Sequence, residues 1–578
     1  MSLSSFDWVI LSLIVGIPVA VGTLHYRRAG TSVTQFFLSG RELPWWLAGT
    51  SMVATTFAAD TPLAVTGLVA TNGLAGNWLW WNAGLGSMLT VFFFARLWRR
   101  AGILTDVEFT ELRYAGRAAS FLRGFRALYL GLPVNCLIIG WVNLALAKIL
   151  SVTLGWDQLT AVFVGLAATG CYSALAGLRG VVFADFIQFG FSLFGACALA
   201  IITLRIPTIG GLDGLITQLP ESTFSIWPTT TAYGPTNPDS APTLTLPFAA
   251  FVSYLGVQWW ASWYPGQEPG GGGYVAQRMM SAKDERHAVF STLWFTVAHY
   301  CLRPWPWITV ALASIVLYPD LLDREAGYAM VIRDYLPSGW RGLLVGSFFA
   351  AYMSTVSTQL NWGTSYLVND FYARFVRPGA SDQHLVGVSR VITVGVMLAS
   401  AAITFSLDSV RQAWEFILES GAGIGLVFIL RWYWWRVTAA SEITALIAAA
   451  IGFLFVRVFT TLTFPTTLLY LVPWTTVCWL FVTWLTPPDP LPHLVAFYRR
   501  IRPGGVGWRY VANAANEPPP TGIVGLLRSW GAGCFVIYGT LLGVSTLMFG
   551  SISFGILMLM SVLLVATWLY RDLTRLTF

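Results

Sequence analysis

The chain has 578 residues, 56% of them hydrophobic and only 11% charged, with a mean hydropathy of +0.65. Soluble domains carry about 25% charged residues, so this composition excludes a soluble enzyme or binding module and leaves a polytopic membrane protein. The formal net charge of +7 does not mark a nucleic-acid binder, because the arginines are spread over short loops and form no basic stripe with interleaved aromatics.

Apolar runs recur along almost the whole chain, each long enough to cross a hydrocarbon core of about 30 Å at about 1.5 Å per residue. They predict spans at 7–26, 46–71, 77–98, 124–152, 157–176, 182–205, 246–266, 287–318, 340–373, 386–406, 410–431, 437–459, 463–485, 524–548 and 550–570, fifteen in all. The first has neither a basic flank nor a small-residue cleavage site and reads as a retained helix. With the N-terminus outside and the C-terminus inside, the expected cytoplasmic segments hold most of the basic residues, among them Arg27, Arg28, Arg41, Arg113, Arg126, Arg278, Lys283, Arg374 and Arg499, as the positive-inside rule demands. That places the chain in a cell membrane, the inner one if the source is bacterial, as a monomer or loose homo-oligomer. The six cysteines (136, 171, 197, 301, 478 and 534) lie in apolar spans without zinc spacing and read as small core residues.

Two spans are interrupted. The second contains TTFAADTP, with Asp60 and Pro62 at mid-depth, and the seventh runs into WWASWYPGQEPGGGG, where Pro265, Pro269 and Gly270 to Gly273 cannot continue a regular helix. Unwound backbone at membrane depth must be buried in protein or line a watery cavity. Counted from the second span, the breaks fall in the first and sixth helices of a ten-helix block, the pattern of two inverted five-helix repeats with a site at the midplane. The expected organisation is an extra N-terminal helix with its loop (1–45), a first repeat (46–205), an external loop with little regular structure (206–245), a second repeat (246–436), additional helices (437–485), a cytoplasmic linker (486–523) and two appended helices (524–578).

The ninth span carries AAYMSTVSTQL, whose Ser354, Thr355, Ser357 and Thr358 share one helical face within an arc of about 160°. Isolated hydroxyls in membrane helices usually bond back to the i−4 carbonyl or join helices. Four together, with two broken helices elsewhere, favour a site for a small hard cation that takes hydroxyl and carbonyl oxygens. Asp185 in AGLRGVVFADFIQF costs several kcal/mol in lipid unless it meets a cation or water. It is either an ion ligand or the partner of a nearby arginine such as Arg179.

The segments SGRELPWWLAG (39–49), GLRGVVFADFIQ (177–188), QRMMSAKDERHA (277–288) and FFAAYMSTVSTQLNWGTSYLVNDFY (348–372) resemble signature segments of the solute:sodium symporter family over about residues 5–485. The resemblance implies an all-α, LeuT-type fold and sodium-coupled import of a small polar solute, a sugar favoured. It further implies a first sodium held by the carbonyls of Ala54, Phe57 and Ala351 with the hydroxyls of Ser354 and Thr355. A second sodium would use Asp185, Ser354, Ser357 and Thr358. The solute pocket would be lined by Thr56, Asp60, Thr61, Trp80, Trp81, Asn135, Gln258 with Trp259 and Trp260, His299, and Glu415 or Glu419. Tryptophans suit an apolar sugar face, and Asp60 suits sugar hydroxyls. Arg303 lies mid-span and would either meet a substrate carboxylate or neutralise Asp60 or Glu419. Gln267 and Glu268 fall at the expected inner gate, and no catalytic motif is present. A proton-driven symporter of the same fold, or a transporter-like solute sensor, would share most of these features.

Overall fold

In a bilayer every backbone N–H and C=O must find its partner within the protein, and the computed structural model meets that demand with helices. It describes residues 3–24, 30–228, 246–262, 269–517, 520 and 522–575. Arg27, Arg28, Pro265, Gln267 and Glu268 lie outside the described residues, as does the side chain of Cys171. Among the described residues there is no β-strand, only the isolated bridges Leu43–Ala282 and Ser262–Ala422. Nine described helices are long and apolar enough to span a membrane, ten when the bent pair Trp45–Thr56 and Asp60–Asn72 counts as one. Shorter apolar helices such as Ser5–Val21, Gln158–Gly170 and Ile424–Tyr433 fall below that length.

α1 (Ser5–Leu24) is tied to the bundle through Asp7, which accepts from the backbone N–H groups of Gly339 (2.7 Å) and Gly342 (2.9 Å). A carboxylate at a helix N-terminus meets both the free donors and the positive end of the dipole. α2 (Trp45–Thr56) and α3 (Asp60–Asn72) are the two halves of the first interrupted span, bent by 57° around Phe57. α4 (Ala83–Leu89) and α5 (Asn135–Leu154) follow. The spans expected at 157–176 and 182–205 form one helical run, α6 (Gln158–Leu204), interrupted only at Gly177 (φ 59°, ψ −177°). That conformation is essentially confined to glycine, so a single residue does the work expected of a short loop.

The second interrupted span runs from α7 (Phe248–Ser253) through a π turn, Tyr254–Gln258, to Ala261, and resumes in α8 (Gly273–Ser281). Gly270 and Gly271 have φ of +91° and +76°, and a Cβ on Gly271 would stand 2.8 Å from both Met279 and Thr90. The glycine run therefore supplies both the turn and the close approach that start α8. α9 (Glu285–Val297) and α10 (Pro304–Leu317) are joined by a π turn, Ala298–Leu302. α11 (Trp340–Ser365) is the central helix: 94% of its membrane window is buried, against 17% for the last helix. α12 (Asp382–Thr404) follows. A third interruption, unexpected from the sequence, splits the span at 410–431 into α13 (Val410–Ser420) and α14 (Ile424–Tyr433). Gly423 (φ +86°) there donates its N–H to the Ala261 carbonyl at 2.9 Å, so the later two breaks brace each other.

Beyond α15 (Ala439–Phe459) and α16 (Leu468–Leu485), the segment expected to be a linker contains α17 (Leu491–Ile501). Asp489 accepts from the Ala115 N–H at 2.8 Å and Arg100 donates to the Ile501 carbonyl at 2.9 Å, so this segment is packed onto the stretch that holds Arg100 and Ala115. α18 (Ile523–Phe549) and α19 (Ile552–Arg575) form a hairpin that carries an Arg528–Asp572 pair at 3.3 Å. α18 is part of the bundle, since Tyr538 donates to the Trp81 carbonyl (2.9 Å) and Trp530 to the Leu85 carbonyl (3.0 Å). The expected external loop is also more regular than its composition suggests: it includes the helix Gly211–Gln218, and Trp227 stacks on Trp78. Its residues 229–245 lie outside the described residues.

Candidate solute and cation site

A cavity of about 960 Å³, including its mouth, opens where α2 breaks into α3. Eight of the expected solute residues line it: Thr56, Asp60, Thr61, Trp80, Gln258, Trp259, His299 and Arg303. Gln258 and His299 both sit in π turns, a local widening of the helix often found at functional sites. Asn82, Trp141, Ser262, Tyr274, Gln359 and Trp414 complete the polar and aromatic lining and had no distinguishing sequence signal in a tryptophan-rich chain.

Five expected solute residues stand elsewhere. Trp81 is fully buried and faces a separate apolar space beside Tyr538. Asn135 donates to the Gln359 carbonyl at 3.1 Å and packs against Gly363, joining α5 to α11. Glu419 is 1% exposed and accepts from Arg457 at 2.5 Å. Glu415 pairs with Arg411 at 2.8 Å, and the Trp260 indole turns back to the Gly256 carbonyl.

Arg303 thus does not neutralise Glu419, and among the described residues it forms no salt bridge with Asp60. It is 1% exposed, lies over the Trp307 ring at 5.1 Å and contacts the Val53 carbonyl at 3.4 Å. Its Nη2 meets His299 Nδ1, which is also 3.1 Å from Thr56 Oγ1. A guanidinium only donates, so the imidazole nitrogen facing it carries no proton. Among the described residues Arg303 Nε has no hydrogen-bond partner. Asp60 accepts from the Trp414 indole at 3.2 Å and from Thr61 at 3.4 Å. The cavity therefore offers one carboxylate and one guanidinium, neither fully satisfied by protein, among stacked aromatics such as Trp80 and Tyr300.

Below the cavity, α11 meets the broken end of α2. Thr355 donates to the Thr55 carbonyl at 2.8 Å and contacts the Ala351 carbonyl at 3.1 Å, gathering three oxygens at the edge of the cavity, which both Thr55 and Thr355 line. The Phe57 N–H is shared between the carbonyls of Val53 and Ala54. Ser354 points away from this group and donates to Asp185 Oδ1 at 2.7 Å, while Ser357 turns back to the Ser354 carbonyl at 3.1 Å.

Asp185 is fully buried, and its partner is not Arg179, which pairs with Glu42 at 3.0 Å. Ser51 donates to Asp185 Oδ2 at 2.5 Å, and the guanidinium of Arg278 stands 3.8 Å away. Arg278 also donates to Thr358 Oγ1 at 2.7 Å and to Ser51 Oγ at 3.2 Å. Arg278, expected in a segment between spans, lies in α8 and is 0% exposed. Arg113 and Arg126, also expected in a segment between spans, are 0% and 2% exposed.

The family model described as the sodium:solute symporter family matches residues 36–452 of this chain. The chain belongs to that family. Among relatives of this symporter, the sodium/glucose cotransporter of Vibrio parahaemolyticus is 26% identical over 487 residues, covering 79% of this chain and 86% of the relative. The sodium/mannose cotransporter of Bos taurus is 25% identical over 486 residues, covering 78% of each. The solved structure of a Na⁺-coupled sialic acid symporter in a substrate-bound outward-open state superposes with a TM-score of 0.70 at 19% identity, over 85% of this chain and 99% of that one. The fold is therefore the LeuT type with its paired five-helix repeats, and the protein is a Na⁺-coupled transporter of a small solute, not an enzyme.

Proposed function

We propose that this symporter imports a small polar solute, a sugar by preference, together with Na⁺ bound where α11 meets the break between α2 and α3. The observation that carries the reading is the position of Thr355: its hydroxyl joins the Thr55 and Ala351 carbonyls and also faces the cavity. A cation taking Thr355 and the neighbouring carbonyls of Ala54, Phe57 and Ala351, with Ser354 rotated from Asp185, would draw α2 and α11 together. That closure preforms the wall of the solute cavity, so ion and solute bind cooperatively. Release to the cytoplasm follows when the two helices part.

A sugar is supported by the lining: Trp80, Trp259 and Trp414 offer faces for stacking, while Asp60, Gln258, His299 and Arg303 offer acceptors and donors for hydroxyls. The sodium/glucose and sodium/mannose cotransporters among the relatives agree with this choice. The arginine-rich segments expected on one side support a cytoplasmic C-terminus. Each charge moved down 100 mV supplies about 2.3 kcal/mol to the cycle.

Uptake of radiolabelled glucose, galactose and mannose into proteoliposomes tests the reading. Accumulation is expected only with an inward Na⁺ gradient. Equal accumulation in Na⁺-free buffer under a pH gradient would overturn it in favour of proton coupling.

A further inference from the structure

We propose that Arg278 is a built-in cation that fills the cage around Asp185, so that the symporter binds and moves a single Na⁺. The inference rests on the Na⁺-coupled reading above and concerns the number of ions.

The cage is made by four separate elements. α6 contributes Asp185, α2 contributes Ser51, α11 contributes Ser354 and Thr358, and α8 contributes Arg278 itself. All five side chains are at most 1% exposed. These are the hard oxygens that a small cation would seek, yet the positive charge among them belongs to the chain. Arg278 reaches Thr358 at 2.7 Å, Gln277 Oε1 at 2.7 Å, Ser51 at 3.2 Å and Asp185 at 3.8 Å.

The Thr358 hydroxyl is committed as well. Thr358 Oγ1 accepts from both Arg278 and Thr55, the latter at 3.1 Å, and a hydroxyl has two acceptor lone pairs. With one carboxylate and one guanidinium the cage is neutral. A Na⁺ added to it would leave an uncompensated positive charge in a dry interior, where charges interact far more strongly than in water. Arg278 therefore does with a tethered group what a second ion would otherwise do, linking α2, α6, α8 and α11 beneath the cavity. Being covalently attached, it is never exchanged with the cytoplasm.

The test counts ions on the purified full-length protein with ²²Na⁺, in parallel with Na⁺ titrations followed by tryptophan fluorescence. Wild type is expected to bind one Na⁺ per chain with a Hill coefficient near 1. Arg278→Ala removes the tethered charge and leaves Asp185 for an ion, so two Na⁺ per chain are expected, whereas Arg278→Lys keeps the count at one. Two ions bound by wild type overturn the proposal while leaving Na⁺ coupling intact. No ion bound by wild type sinks the Na⁺-coupled reading itself. A folded Arg278→Ala protein that still binds one ion also overturns the proposal, because the cage would then hold no cation in place of arginine. If Arg278→Ala does not fold, the wild-type count decides.

Discussion

Thr355 on the central helix donates its hydroxyl hydrogen to the carbonyl of Thr55 at 2.8 Å, across 300 residues of sequence and next to the helix break that opens the cavity. The contact joins the two helices whose separation an alternating-access cycle requires. Replacing Thr355 by Ala removes the oxygen ligand proposed for Na⁺ and one bridging hydrogen bond, worth about 1 to 1.5 kcal/mol. The Na⁺ concentration for half-maximal uptake is expected to rise roughly tenfold, while Thr355→Ser stays near wild type. Na⁺-activation curves for the two variants check this.

Asp185 and Arg278 compensate each other in the interior. Asp185→Asn leaves a buried guanidinium without its carboxylate, and breaking a buried pair from one side costs about 3–5 kcal/mol. Thermal melts in detergent should show a large loss for Asp185→Asn and a smaller one for Asp185→Asn combined with Arg278→Met. If the double variant melts at the temperature expected from adding the two single losses, the two charges are not coupled.

Arg303 presents an unpartnered Nε at the cavity wall. Arg303→Gln keeps donors there but removes the charge and the fork. The solute concentration for half-maximal uptake is expected to rise about 10- to 100-fold, as loss of a charge-assisted hydrogen bond implies, while Na⁺ binding measured without solute is unchanged. Isothermal titration with Na⁺ and with sugar separates the two effects.

Glu111 lies in the short helix Phe109–Arg113, outside the spans. Burial pushes its carboxyl up, but hydrogen bonds from Arg374, Ser120 and Arg123 outweigh that and hold it at about 2, below the usual 4.5. A carboxyl lowered on folding stabilises the protein above its unfolded value, and the contribution disappears as pH falls from about 4.5 through about 2. Wild type should therefore lose melting temperature across that window, and Glu111→Gln should show a flatter acid limb and a lower plateau at neutral pH.

The terminal hairpin supports the core. Because Tyr538 and Trp530 bond to the carbonyls of Trp81 and Leu85, truncation after residue 517 is expected to lower the melting temperature and the yield of folded protein. Tyr538→Phe should show a small part of that loss, near the 1 kcal/mol of one hydrogen bond.

Much of this architecture is local information. Hydropathy over about 20 residues reports a span wherever it occurs, proline and glycine report the first two breaks, and a 100° step per residue puts the hydroxyls of Ser354, Thr355, Ser357 and Thr358 on one face. The third break is quieter, because GAG within an apolar run is compatible with a continuous helix until Gly423 is required to reach Ala261. Partner choice is not local at all. Asp185 has Arg179 six residues away, yet it meets Arg278 from another repeat. Glu419 looks free to face a solute until Arg457 arrives from a neighbouring helix. The same QRMMSAKDER segment reads as a basic cytoplasmic loop and folds with Arg278 at 0% exposure. Sequence by itself determined that this chain is a bundle of apolar helices, broken twice at membrane depth and carrying a hydroxyl face. Only the tertiary structure decided which charges compensate one another there, because a buried charge is stabilised by whatever oxygen or guanidinium the packing brings within about 4 Å, however distant in the chain.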